Sequence, residues 1–540
     1  MGSTNYIDID WPDLFKPILT AKPNCFNRVR INREVIPIIF VPGIMGSRLK
    51  NKHTGQSVWD PDREIMCMLR KYGGFWNTPA QRKRMLIGDT FNAEYLEVDE
   101  YNPEHNEKFY SFLDPWRADR GWGGVYWSSY GKFLEELQNN KWDVPLQSMG
   151  NERAKEVVGK CFEFPVYAFG YNWTDSNLET GKKLASKIAN LIAWYKSKGR
   201  LCKHVILVSH SMGGLVCRSA CKIHKAETNV LGVTHGVQPA TGAAAAYWRM
   251  KAGFERTGQG WSKRLASKGS AWVLGTNGEE VTCILGNAPG GLELLPNQHY
   301  TDNKGEHGWL RVPGKDGKEF VFPRHGNPYE EIYKVTDQFW RLINPDWLAP
   351  RDKRTPPIST HNDSGGSWRK YVICIELAEE FHKKLQTLSH KNTYQFYSGS
   401  LNTVDRIRFC RNNLSFLQYE LPSGFGYPAV METAEPRQKS SARGASIMYV
   451  DNNDQEIKLP LVATTRLLSM AGPDDCHGGG DGTVPDSSGN ALSAVLNSHK
   501  LESVEHQEAY GDASAIEYVL KAVRNLALKR IKEGEVASAR

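Results

Sequence analysis

The chain lacks any apolar run long enough to cross a bilayer. Its longest runs, such as IPIIFVPGIMG, fall far short of the roughly 18–20 residues a membrane helix needs. It opens MGSTNYIDIDWPDLF, without a basic start or an apolar core. Synthesis in the cytoplasm without a cleavable signal peptide is therefore expected. The ten cysteines have no disulfide-scaffold spacing. Cys217 and Cys221, at i and i+4, are expected to pack inside as small hydrophobes. No dense run of Lys and Arg interleaves with aromatics. The net charge of +8 over 540 residues is thus a mild bias that suits an anionic lipid surface and argues against nucleic acid as a partner. No internal repeat is visible. No side chains stand at a recognised metal-ligand spacing, so neither a metal nor a cofactor is expected.

What the chain has is length and aromatic bulk. Sixteen Trp and 22 Tyr serve either a large core or an apolar, interfacial surface. At 540 residues the chain exceeds the roughly 250–300 at which a single core stops growing. One enlarged α/β core with insertions is expected. Residues 1–34 read as a polar N-terminal segment, and core segments follow at 35–59, 160–242, 366–401 and 474–540. Between them lie an insertion at 60–159, a Trp-, Pro- and Gly-rich lid or cap at 243–365, and a polar excursion at 402–473. The alternation from FPVYAFGYNW through ETGKKLASKIANLIAWYKSKG to VILVSH predicts a mostly parallel sheet with helices on both faces.

Three segments far apart carry the chemistry. VILVSHSMGGLVCR (205–218) joins an apolar β-branched strand to a small-residue helix start, with Ser211 at the sharp turn between them. That is the pattern of a nucleophile elbow, which lifts a serine oxygen above a sheet. Ser209 stands where G-x-S-x-G has its first glycine, a small replacement. A serine hydroxyl needs a base, and the base an orienting acid. GGGDGTVP supplies Asp481 and VEHQEAYGD supplies His506. The order Ser…Asp…His is that of α/β-hydrolases. Rivals for the acid are Asp474, Asp475 and Asp486; rivals for the base are His210 and His235. His210, next to the nucleophile, is expected to turn away into the core, and His235 to lie near the pocket mouth. PDDCHGGGD, with Asp474, Asp475 and His477, also reads as a cation-binding loop. A developing oxyanion needs two backbone N–H donors. Met212 is one candidate; Ile44 or Met45, in the Gly-bearing turn after VIPIIFVPG, is the other.

At VPGIMGSRLKN, Tyr171 to Trp173, SHSMGGLV, TYQFYSG and GDGTVP the chain resembles the lecithin:cholesterol acyltransferase family, which includes lysosomal phospholipases A. Its elbow equally resembles the inositol deacylase-like lipases. The resemblance implies an α/β-hydrolase fold with a large lid. It implies Ser211, Asp481 and His506 as a catalytic triad and Ile44 and Met212 as oxyanion donors. The family often has Asp where this chain has Asn172. LGNAPGGLELLP, the large cap and the missing leader are more similar to bacterial lipase effectors of the type VI secretion system. That resemblance implies an antibacterial toxin acting on membrane phospholipid in the periplasm of a target cell, with an immunity protein and a component of the secretion apparatus as partners.

The function expected is therefore that of a serine-dependent lipase, a phospholipase A hydrolysing acyl esters of glycerophospholipids. Two alternatives stay open. One is an acyltransferase that moves the acyl group to a lipid or alcohol acceptor, since both reactions share an acyl-enzyme. The other is a non-catalytic lipid- or partner-binding module on the same fold.

Overall fold

The computed structural model describes residues 4–15, 20–62, 78–88, 95–100, 115–142, 157–253, 275, 278–313, 318–338, 340–350, 364–411, 447–450, 456–457 and 477–539. Its centre is a six-stranded sheet, parallel throughout: β1 (Ile38–Val41), β2 (Val166–Ala168), β3 (Val205–His210), β4 (Val230–Gly236), β5 (Thr393–Ser398) and β6 (Asn497–Leu501). The apolar, β-branched runs IIFV and VILV form its middle because a parallel strand covered on both faces needs apolar side chains at every position. Alternate residues serve opposite faces. Ile39, Val41 and Leu207 enter one hydrophobic cluster, while Ile38, Phe40, Ile206 and Val208 enter the other.

Helices supply both layers. On the second face pack α1 (Trp127–Asn139), through Tyr130, Phe133, Leu134 and Leu137, and the last helix α5 (Ala513–Ala539), through Ile516, Val519, Val523 and Leu526. On the first face lie α2 (Asn177–Ser197), α3 (Gly213–Arg218) and α4 (Ser364–Leu385). The start of α2 is set by Ser176, whose hydroxyl accepts from Leu178 N at 3.1 Å. Its buried row of Leu184, Ile188, Leu191, Ile192 and Tyr195 follows the three-and-four spacing of one helix face.

The spatial order of the strands is β2-β1-β3-β4-β5-β6. The chain steps outward from β1 to β2, then returns past β1 to lay down β3. The direction of winding thus reverses between β1 and β3. In open parallel sheets the crevice at the carboxyl ends of such a pair is where ligands bind. The turn after β1 carries Gly43, Ile44 and Met45, and the turn after β3 carries Ser211.

Several segments are tied in more closely than their composition indicates. The stretch read as a polar N-terminal segment pairs Thr4–Asp10 in parallel with Phe26–Asn32. Between them Trp11 is fully buried; its indole N–H donates to Glu34 Oε2 at 3.0 Å, and Arg530 of α5 lies over its ring. The two insertions also meet. The helix Pro79–Leu86 packs on the helix Gly278–Leu285, with Lys83 Nζ donating to Leu348 O at 2.8 Å. The strand Leu310–Pro313 pairs with Ile407–Arg411, so the cap and the start of the 402–473 excursion share one five-stranded sheet. Tyr247, Val281, Ile284, Tyr329 and Tyr333 of the cap are fully buried in the same cluster as the first face of the central sheet. Among the described residues the cap is therefore an extension of the core. No described helix is long and apolar enough to cross a membrane.

Candidate active site

At the end of β3 the backbone folds back at once into α3. Ser211 takes φ +50°, in the left-handed region that a residue with a Cβ enters only where its surroundings compel it. Three contacts do so. Ser211 N donates to Gly236 O at 3.0 Å, Gly214 N donates to Ser211 O at 2.9 Å, and the carbonyls of Val41 and Pro42 crowd the place where a Cβ on Gly213 would stand. Glycine at 213 lets the β1 turn lie directly against the start of α3. Cys217 and Cys221 are buried inside this helical stretch. Among the described residues, the backbone amides of Ile44, Met45 and Met212 meet no acceptor.

Asp481 sits 3% exposed in the turn after the strand His477–Gly480. One carboxylate oxygen, Oδ1, accepts from Thr483 N at 2.9 Å and Val484 N at 2.7 Å. The other, Oδ2, faces His506 Nδ1 at 2.7 Å. His506 N also donates to Asp481 O at 3.0 Å, so the two residues are joined through side chain and backbone together. On the far side of the ring, His506 Nε2 is 2.8 Å from Ser211 Oγ. A carboxylate can only accept, so Nδ1 carries the proton and Nε2 offers its lone pair to the serine hydroxyl. The structure thus brings together Ser211, Asp481 and His506, residues 211, 481 and 506 of one chain, in a continuous hydrogen-bonded row.

The rival residues fall elsewhere. His235 lies within β4, fully buried and opposite Ser209, whose Oγ is 2.7 Å from its Nδ1. It stands inside the sheet and not at a pocket mouth, because strand pairing with β3 fixes it there. Burial pushes its pKa down to about 3, with nearby Arg218 adding to the effect. Asp486 is in an exposed ion pair with Lys500 at 2.6 Å. Asp474 and Asp475 lie outside the described residues, and with them the proposed cation loop. Among the described residues no group of His, Cys, Asp and Glu is arranged to hold a metal ion. Asn172 is buried, its side-chain oxygen accepting from Thr174 N and Oγ1 at 3.1 and 2.8 Å.

His210 turns into the core as expected, but sequence reasoning missed that it and others hold these turns from behind. His210 is buried between the Tyr130 hydroxyl, 2.8 Å from its Nδ1, and His506 O, 2.8 Å from its Nε2. Asn303, from the cap, grips the acid turn on both sides: its Nδ2 donates to Gly479 O at 2.7 Å and its Oδ1 accepts from Ser487 N at 2.9 Å. Thr403 Oγ1 accepts from Gly482 N at 2.9 Å. The run Gly478–Gly480 is the one signal available in the sequence. Asn303, Gly399 O and Thr403 press on these three glycines in turn, where any Cβ would collide. Glycines advertise a close approach, but not what approaches.

A family model described as a PGAP1-like alpha/beta domain matches residues 162–288. That stretch spans β2, α2, β3, Ser211, α3 and β4. A chain in the crystal structure of the Tle4–Tli4 complex aligns over 92% of this chain and 99% of its own length, at 26% identity and a TM-score of 0.62. The mature lipase BlEst2 of Bacillus licheniformis aligns over 94% and 96%, but at 10% identity and a TM-score of 0.26, too loose to bear on the argument. No curated protein matches the sequence. Sheet order, the turn at Ser211 and the first two likenesses agree: the chain has an α/β-hydrolase-like fold, and its segment 162–288 is similar to the PGAP1-like alpha/beta domain.

Proposed function

We propose that this chain is a serine-dependent lipase, a phospholipase A that hydrolyses acyl esters of membrane glycerophospholipids. The observation that carries the reading is the unbroken row Asp481–His506–Ser211, at 2.7 and 2.8 Å, beside the sheet's switch point. Ser211 Oγ attacks the acyl carbonyl while His506 Nε2 takes its proton. Asp481 holds the ring in the tautomer this requires and stabilises the imidazolium that forms. The amides of Ile44 and Met212 receive the charge that builds on the carbonyl oxygen. His506 then hands its proton to the departing alcohol. Water, activated by the same histidine, releases the fatty acid and restores the serine.

The narrower reading is that of an antibacterial effector, delivered by a type VI apparatus to a target cell's periplasm and neutralised in its producer by an immunity protein. Its support is the likeness to a chain solved in the Tle4–Tli4 complex, which runs over 92% of this chain.

Fatty-acid release from phospholipid vesicles, with and without an added alcohol acceptor, tests the chemistry. Ser211→Ala is expected to lower it by about 10⁶-fold, since nucleophile and base act as a unit, and to abolish labelling by a fluorophosphonate. Undiminished turnover in Ser211→Ala sinks the lipase reading. Acyl transfer outrunning hydrolysis makes the enzyme an acyltransferase. Export to the periplasm of a naive bacterium is expected to be toxic with Ser211 and harmless with Ser211→Ala. An active enzyme that is harmless there removes the effector reading alone.

A further inference from the structure

The row of residues behind Ser211 has a fixed direction. His506 O is a carbonyl and can only accept, so His210 Nε2, 2.8 Å away, must be its donor. His210 is fully enclosed. Burial, with His506 adding to it, pushes its pKa down to about 3, so the ring is neutral and carries one proton. Nδ1 is then an acceptor, and the Tyr130 hydroxyl, 2.8 Å from it, is the donor. The backbone N–H of Gly43 bears electrostatically on that hydroxyl oxygen. The full sequence is Tyr130 O–H to His210 Nδ1, and His210 Nε2–H to the carbonyl of His506.

The packing leaves no slack in it. A Cβ on Gly43 would stand 2.9 Å from Ser211 Cβ and 3.0 Å from His210 Nδ1, and one on Gly46 would stand 2.8 Å from the Tyr130 hydroxyl. The turn bearing Ile44 thus lies directly on this chain. One end is the backbone carbonyl of His506, and the other lies against the glycines that flank Ile44. Tyr130 comes from α1, in a stretch read from sequence as an insertion, and rings of Phe40 and Tyr510 enclose it and His210.

We propose that Tyr130 and His210 are positioning residues, which tie the turn carrying Ile44 to the backbone of His506 and so fix the distance of both from Ser211. This rests on the serine-hydrolase reading above. Neither side chain touches substrate. They act by holding a donor turn and a base in register, and a misplacement of about 1 Å in such a site costs on the order of 10²-fold in rate.

Kinetics of the full-length chain on a soluble ester test the proposal with Tyr130→Phe, His210→Phe and His210→Gln, beside Ser211→Ala. Tyr130→Phe removes one hydroxyl and keeps the ring. It is expected to lower kcat by about 10- to 100-fold, with KM within about two-fold and Tm nearly unchanged. His210→Phe keeps an aromatic ring without the donor and is expected to fall at least as far. His210→Gln restores one donor and one acceptor, the complement of the assigned tautomer, and is expected to recover most of the lost kcat. Wild-type kcat in both Phe variants, with Ser211→Ala inactive, overturns the proposal and leaves the serine mechanism standing. An equal fall in all three variants with Tm falling in step overturns it too, since the row is then scaffolding alone. Activity persisting in Ser211→Ala would instead remove the reading on which it rests.

Discussion

The turn at Ser211, proposed as nucleophile, and the pair Asp481 and His506, proposed as acid and base, meet at hydrogen-bond distance, yet they are built in different ways. Ser211 is shaped largely by its neighbours in sequence and by the adjacent strands. The strand before it, the two glycines after it and the edges of β1 and β4 set φ +50°. Asp481 and His506 stand in turns with little regular structure of their own. They are held by side chains from remote segments: Asn303 from the cap, Thr403 from the strand Leu401–Val404, and His210 and Tyr130 from behind the sheet. A motif written in consecutive residues needs only a sheet to sit on. A turn held from outside needs the rest of the chain to be folded around it.

The largest expected effects are those that remove either party to the row. His506→Ala is expected to cost nearly as much as Ser211→Ala, about 10⁶-fold in kcat, and Asp481→Asn less, about 10⁴-fold. Initial rates on a soluble ester measure both. The outcome that breaks the comparison is His235→Ala abolishing turnover while His506→Ala leaves it intact, for the base would then belong to the sheet and not to a turn held from outside.

Next in size are two changes that set one mode of construction against the other. Gly213→Ala forces a Cβ into the carbonyls of Val41 and Pro42, where backbone cannot give way. It is expected to cost soluble expression or, failing that, nearly all activity. Asn303→Ala removes two hydrogen bonds that cross the acid turn but leaves Thr403 and the turn's own amides in place. It is expected to lower kcat by roughly 10-fold and Tm by a few degrees, in line with about 1–3 kcal/mol for buried groups left unpaired. Circular dichroism melts and initial rates on the two purified variants check this. If Asn303→Ala proved as destructive as Gly213→Ala, the acid turn would be as rigidly determined as the elbow, and the contrast would disappear.

The same difference explains what could be read from the sequence. The parallel sheet was legible because IIFV and VILV need cover on both faces, and the helix Asn177–Ser197 because its apolar residues recur every three or four positions. Ser211 was legible because strand, turn and helix are contiguous. Asp481 and His506 were picked out by glycine neighbours and chain order, which mark a turn but not its supports. Tyr130 and Asn303 were not legible at all. Each lies far from the residue it holds, by 80 positions from His210 and 176 from Gly479, and nothing local distinguishes it from any other polar or aromatic residue. Trp11 was lost in the same way. Its surroundings in sequence are polar, and only the fold brings Glu34 and α5 around it. The cap and the later excursion looked separate for a related reason, since the pairing of Leu310–Pro313 with Ile407–Arg411 leaves no mark in either strand.

The smallest expected effect on turnover concerns a support that has nothing to do with the row. Glu293, in the segment LGNAPGGLELLP, is fully enclosed. It accepts from Ser176 Oγ, Asn177 N and Asn177 Nδ2 at 2.7, 2.8 and 2.7 Å, capping the start of α2 from the cap side. Burial pushes its pKa up to about 7 despite these donors, and Asp175 nearby adds to the rise. The folded state therefore binds its proton more tightly than the unfolded chain, whose glutamate titrates near 4.3. Stability from this group is complete below about pH 4 and falls as pH rises through about 7. Glu293→Gln keeps the shape and removes the charge. It is expected to flatten the decline of Tm between pH 5 and 8 and to leave the variant the more stable protein at pH 8, by up to about 3 kcal/mol. Turnover at pH 7 is expected to change less than two-fold, since Glu293 reaches the helix start and not the turns around Ser211. Thermal melts across that range, with rates taken alongside, separate the two. A Tm that declines with pH as steeply in Glu293→Gln as in the parent chain shows that another group sets the slope. A large loss of turnover would instead show that the cap reaches the site through α2 as well as through Asn303.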